Sequence, residues 1–200
     1  MVKKTLFVTC GATVPFPQLI NCILSPEFTN RLIRMEFKRL IIQFGKGYEE
    51  GFTKQLKSLG RLFPKESPVQ ASDYGTPKIT GYTLLNDGNF EIFGFPFSSN
   101  IQECIERDAT LVISHAGTGS ILDSLRLKKP LIICVNDTLM DNHQEQIAIK
   151  FESMGYVWSC KPKIEELLGC LSKYQTETPK LFPNAHNEEF SNFLKNRAYN

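Results

Sequence analysis

Long apolar runs are missing from these 200 residues. No stretch approaches the ~20 apolar residues of a membrane span, so no direct membrane span is expected. Charge of one sign is also missing: 23 Lys and Arg stand against 21 Asp and Glu, and no basic cluster forms. That balance gives no field for steering toward nucleic acid, so no nucleic-acid partner is expected. Histidine is scarce. His115, His143 and His186 lack metal-ligand spacing, and no D-x-D pair occurs, so no metal site is expected. No C-x-x-C links the six cysteines, several of which lie in apolar segments. They read as buried free thiols in a reducing compartment. A nucleophile elbow, internal repeats and low-complexity tracts are absent as well.

At the N-terminus two lysines precede an apolar run too short for a signal peptide. A buried first strand and a cytosolic protein are the expectation. With 42% hydrophobic residues, the chain can build one domain with a substantial core. Strands are expected at Thr5–Cys10, Arg39–Phe44, Thr110–Ser114, Pro130–Val135 and Tyr156–Cys160, each a short apolar run. Helices are expected at Pro17–Leu24, through Phe28, Leu32 and Met35, and at Gly51–Leu62, Ser99–Arg107, Gly119–Leu127, Asn142–Met154 and Lys163–Lys173. Ser99 and Gln102 have the spacing of a capping box. Asn86-Asp87-Gly88 sits between Tyr82–Leu85 and Asn89–Phe93, and these residues tolerate the positive φ of a hairpin turn. Phe63–Pro77 reads as a polar loop within a weakly patterned stretch, about 47–81. A final helix, about Asn187–Ala198, carries Phe190, Phe193 and Leu194 on one stripe. These residues suit docking to a partner or packing on the same domain.

The alternation predicts an α/β fold: a Rossmann-like sheet, mostly parallel with one antiparallel hairpin, and helices on both faces. Ligands of such sheets bind beyond the carboxyl ends of the strands. The loop there of most interest is Ser114-His115-Ala116-Gly117-Thr118-Gly119-Ser120. Glycines let a backbone approach a ligand, and the first N–H groups of a helix lack partners and suit an anion. Thr118 and Ser120 add hydroxyl donors, and a diphosphate is the natural ligand. A tight turn with Ser120 as helix cap is the competing reading. Asp123, one turn into the helix, suits ribose hydroxyls or merely complements the helix N-terminus. Gly11 and Thr13, after the first strand, offer further donors to a phosphate. Gly117-Thr-Gly119 followed by Asp137 also partly matches a dinucleotide fingerprint, without its third glycine.

Asn136 to Gln146 is dense in hydrogen-bonding side chains at a strand end and helix start. Sugars are recognised by such groups, because each hydroxyl both donates and accepts. Asp141 with Gln144 also fits a capping box.

Together Val8–Thr13, Leu111–Leu125, Lys129–Ile133 and Asp141–Gln144 resemble the C-terminal half of GT-B glycosyltransferases. Cys10-Gly-Ala-Thr-Val-Pro-Phe-Pro17 and Gly155-Tyr-Val-Trp-Ser-Cys160 extend the resemblance over almost the whole chain. They point to the family of small eukaryotic subunits of the dolichol-linked UDP-N-acetylglucosamine transferase. Gly47–Gly81 matches least. The resemblance implies transfer, with inversion, of N-acetylglucosamine from UDP-N-acetylglucosamine to N-acetylglucosaminyl-diphosphodolichol at the cytosolic face of the endoplasmic reticulum. It implies no cofactor. A membrane-anchored partner subunit would supply attachment and the site for the lipid-linked acceptor. Gly117, Thr118, Gly119 and Ser120 match the phosphate loop, and His115 a histidine near the diphosphate. Asp123 matches a ribose-binding acid that is commonly Glu in the wider family. Asp141, His143 and Gln144 match the sugar-contacting segment. No residue emerges as the catalytic base, which is expected on the partner. Length agrees, since two facing Rossmann-like domains need roughly twice this chain. The expected division is a donor-binding domain over 1–175 and a linker and helix over 176–200. A non-catalytic nucleotide-binding module and an NAD-dependent oxidoreductase are the alternatives.

Overall fold

The computed structural model describes residues 3–60, 69–136 and 142–183, with Asn142 and His143 in backbone only. Seven strands form one sheet: β1 Thr5–Thr9, β2 Arg39–Gln43, β3 Gly81–Leu85, β4 Phe90–Phe95, β5 Leu111–His115, β6 Leu131–Cys134 and β7 Trp158–Cys160. Seven α-helices accompany them: α1 Pro17–Ile23, α2 Pro26–Arg34, α3 Glu49–Leu59, α4 Ile101–Asp108, α5 Thr118–Arg126, α6 Asn142–Ser153 and α7 Ile164–Thr176.

The sheet order is β3-β4-β2-β1-β5-β6-β7, parallel except for β3 against β4. The expected strands, hairpin and fold class are all present. The strands are largely apolar because both sheet faces are covered. Period-two alternation sends Leu6, Val8, Leu40, Ile42 and Ile113 into the core beneath α1, α2, α3 and α7. It sends Phe7, Ile41 and Val112 into the core beneath α4, α5 and α6. From β1 the chain builds outward to β2 and β4, then returns to the other side of β1 for β5, β6 and β7. The direction of winding therefore reverses between β1 and β5. The loops leaving those neighbouring strands diverge to opposite faces and open a crevice.

The hairpin turns as its residues dictate: Asn86, Asp87 and Gly88 all have positive φ (53, 52 and 84°). All six cysteines are free, and only Cys22 is not buried. Two expectations need correction. The capping box at Ser99 does not form. Ser99 Oγ donates to Gly75 O, and Gln102 Nε2 donates to Asp123 Oδ1, so both side chains are committed elsewhere. Helix α4 starts instead after Asn100. The described part of the polar loop, residues 69–77, holds a short 3-10 turn, Ala71–Tyr74. It plants Tyr74 in the core edge-on to Phe93, with ring centroids 5.2 Å apart. Local polarity concealed this single buried aromatic. The expected final helix, including Phe190, Phe193 and Leu194, lies outside the described residues.

Tyr74 Oη donates to Asp108 at 2.8 Å, and Arg107 lies over its ring. Burial and the neighbouring Asp108 carboxylate push the phenol well above its ordinary range. Tyr74→Phe removes the donor and leaves Asp108 to its arginines. The expected cost is about 1–2 kcal/mol in urea unfolding, followed through the fluorescence of the single tryptophan, Trp158. An unchanged midpoint would mean that the turn is not anchored through this bond.

Candidate functional site

Beyond the carboxyl ends of β1 and β5, a pocket of about 200 Å³ opens at the crevice. Cys10, Gly11, Ala12, Thr13, Val14 and Phe16 supply one wall, and His115, Asn136 and Gln144 the other. Gly11, Thr13, His115 and Gln144 were expected from sequence and come together here. Asn136, buried at the end of β6, was passed over within its polar segment; its strand-end position was the available signal. Cys10 and Phe16 entered the sequence reading within the Cys10–Pro17 motif and not as site residues.

His115 ends β5 with its ring against β1. Nδ1 lies 3.3 Å from Thr9 O. A carbonyl only accepts, so Nδ1 carries the proton and Nε2 is left with a lone pair. Burial lowers the pKa of His115, and the Thr9 hydrogen bond partly opposes that shift. The ring is therefore neutral near pH 7. Two glycines make room for it. A Cβ on Gly117 would overlap Nε2 and lie 2.9 Å from Cε1, and one on Gly11 would lie 2.9 Å from Nε2. Gly11 also has φ +85°, where L side chains are strained. Gly117 thus has a use beyond the expected close approach of backbone to ligand: its missing side chain admits the histidine.

Helix α5 follows at once. Gly117 is its N-cap and supplies no side-chain bond. The first intrahelical bond runs from Ile121 N–H to Gly117 O at 3.1 Å. The amides of Thr118, Gly119 and Ser120 are therefore the helix's unsatisfied first donors, and Thr118 and Gly119 are exposed. Ser120 stands in the third helical position rather than at the cap, which removes the capping role from the competing reading. A Cβ on Gly119 would meet nothing within 4 Å, so the structure leaves that side of the helix start open.

The remaining expected residues are placed unevenly. Gln144, in the first turn of α6, lines the pocket, and its buried Oε1 finds no hydrogen-bond partner among the described residues. An unpaired buried carbonyl oxygen is costly unless a ligand completes it. Asp123 lies one turn into α5, outside the pocket lining, where Gln102 Nε2 holds its carboxylate at 2.7 Å. Asp141 and Asp137 lie outside the described residues, as does the side chain of His143. A groove of about 400 Å³ between α3 and the approach to β3 is larger, but lysines and glutamates of both signs line it and no glycine loop enters it. Among the described residues no cluster suited to a metal ion occurs.

An exposed, uncapped helix start beside a neutral histidine and an unpaired amide oxygen suits a ligand that joins an anion to polar hydroxyls. Comparison with known proteins gives the family. The glycosyltransferase family 28 C-terminal domain matches residues 5–197. The chain is 49% identical over 197 residues to the UDP-N-acetylglucosamine transferase subunit ALG13 of Saccharomyces cerevisiae, covering 98% of this chain and 97% of that one. The Kluyveromyces lactis protein of that name is 42% identical over 199 residues, with 98% and 99% covered. An NMR solution structure of ALG13 superposes with a TM-score of 0.75 at 49% identity over 96% of each chain. MurG of Acinetobacter baumannii superposes at 0.56 and 15% identity, covering 88% of this chain and 42% of that one, a likeness of fold alone. The chain belongs to the glycosyltransferase family 28 C-terminal domain family.

Proposed function

We propose that this chain is the donor-binding subunit of a UDP-N-acetylglucosamine transferase of dolichol-linked oligosaccharide synthesis. It transfers N-acetylglucosamine to N-acetylglucosaminyl-diphosphodolichol with inversion. The observation that carries the reading is the open start of α5 at the reversal point of the sheet, in a chain 49% identical to such a subunit over nearly its whole length. The donor diphosphate lies against the amides of Thr118, Gly119 and Ser120, beside His115 and the Gly11–Thr13 loop. Asp123 takes the ribose hydroxyls, which requires Gln102 to share its carboxylate. Gln144, with Asp141 and His143, contacts the sugar.

In a single displacement the acceptor hydroxyl attacks the anomeric carbon while the bond to the β-phosphate oxygen breaks. Negative charge then grows on the diphosphate, where unsatisfied helix donors are already aimed. No described residue is placed as the base, and the partner supplies the acceptor site. Among the described residues no helix is long and apolar enough to cross a membrane. The partner provides attachment at the cytosolic face of the endoplasmic reticulum. Residues 1–175 form the donor domain, and 176–200 the linker and docking segment.

Reconstitution with the membrane-anchored partner tests the reading. Transfer from UDP-N-acetylglucosamine should require both proteins and fall at least about 100-fold when His115 and Asp123 are both replaced by alanine. A complex that transfers equally well with both replaced would make this chain a non-catalytic module.

A further inference from the structure

Resting on that donor-site reading, we propose that His115 takes up a proton when the donor diphosphate binds, so that donor affinity is coupled to pH through this one ring. Thr9 O fixes the only proton of the neutral ring on Nδ1. Nε2 therefore turns a lone pair toward the space between Gly11 and Gly117, at the mouth of the phosphate loop. A phosphate oxygen is an acceptor too, and two acceptors facing each other repel. One proton from solvent on Nε2 converts that repulsion into a charge-assisted hydrogen bond. Nδ1 keeps its bond to Thr9 throughout, so the ring need not turn over.

Electrostatics of the surroundings leave the ligand as the deciding charge. On the β1 side the other titratable group is the Cys10 thiol, which burial pushes up to about 12, so it stays neutral. Tyr48, near Cys10, has its phenol pushed up chiefly by burial and is neutral as well. The β6 and α6 walls contribute the amides of Asn136 and Gln144. On α5 the nearest carboxylate, Asp123, is turned to Gln102. Thus no carboxylate or cation among the described residues lines the pocket. In the free protein burial dominates and His115 is neutral near pH 7. In the complex the diphosphate raises the same pKa, because an adjacent opposite charge favours the charged form.

The sign follows from linkage. Where the bound state holds more protons than the free state, affinity rises as pH falls. It is constant below the free-state pKa, falls as pH rises between the free and bound values, and is constant again above them. At its steepest the fall is about tenfold per pH unit for one proton.

The test is calorimetric titration of the purified chain with UDP-N-acetylglucosamine, whose diphosphate is a diester with no proton to exchange near neutrality. Two buffers of different ionisation enthalpy are used at pH 7, neither of them phosphate. Ring 15N spectra of the three histidines are recorded on the same samples. The expected result is fractional proton uptake, about 0.3–1 per donor bound. A shift of His115 Nε2 to a protonated position should accompany it. His115→Gln should bind more weakly and show no uptake. Binding with no proton uptake would overturn the coupling and leave the donor site standing. Uptake that registers on the His143 ring instead would overturn it too. No binding of the donor at all would overturn the site reading and the coupling with it.

Discussion

Gly119→Leu should leave the chain folded and abolish donor binding. A Cβ at Gly119 meets no protein atom within 4 Å, and the residue lies in the first turn of α5, where glycine is the poorest helix former after proline. Gly119→Ala should therefore raise stability by about 0.5–1 kcal/mol, and the leucine variant should hold near the wild-type midpoint. Any effect on the donor must then come from the space outside the protein surface. If the diphosphate lies against the exposed amides of residues 118–120, leucine fills its place. The affinity for UDP-N-acetylglucosamine should fall at least about 100-fold, equivalent to about 2.8 kcal/mol. Trp158 fluorescence reports the fold and calorimetry reports the donor. Donor binding by the leucine variant with wild-type affinity would remove the α5 N-terminus from the site.

Gly117→Ala should do the opposite kind of damage, costing stability and donor binding together. The added methyl overlaps His115 Nε2, and the ring has Gly11 on its other flank. Gly117 has φ −74°, so the backbone suits alanine and the penalty is steric. Overpacking of this kind costs about 1–3 kcal/mol. The ring yields by giving up its bond to Thr9, which disorders the β1–β5 junction and the loop start. A double variant separates this account from a general intolerance of the turn. With His115→Ala also present, the methyl finds space, and the double variant should lose less stability in urea unfolding than the sum of the two single losses. Strict additivity would show that Gly117 is required for something other than the histidine.

The contrast between these two glycines shows where sequence reading stops. Gly117-Thr-Gly119 is legible as a loop between a buried strand and a helix, either meeting a ligand or making a tight turn. It is not legible that only one of them faces open space. That depends on Gly11, 106 positions earlier in the chain, and on the pairing of β1 with β5 that brings Thr9 O to Nδ1 of His115. The hairpin at Asn86-Asp87-Gly88 was readable because a positive φ leaves a local compositional mark. Tyr74 was not, since its burial comes from the distant strand β4 and not from any periodicity of its own segment. The box at Ser99 and Gln102 failed for the same reason. Both side chains found partners on other elements, Gly75 and Asp123, which no local spacing encodes. The parallel strands were easily found because burial on both faces makes them largely apolar. Their order, and hence the crevice between β1 and β5, was not read from the sequence, because the winding rules of such sheets allow several orders. In the polar segment after β6, composition pointed to sugar contact, and Gln144 enters the pocket with a buried oxygen unpaired among the described residues.

The central claim is that a nucleotide sugar binds at the junction of β1, β5 and the start of α5. The most direct measurement is backbone amide NMR of the purified chain titrated with UDP-N-acetylglucosamine, and with NADH as the control. The account predicts shifts concentrated at Gly11–Thr13, His115–Ser120 and Gln144 with the nucleotide sugar, and none of comparable size with NADH. Shifts confined to the lysine-lined groove at Lys54, Lys57 and Lys78, or an equal response to NADH at the α5 start, would contradict it.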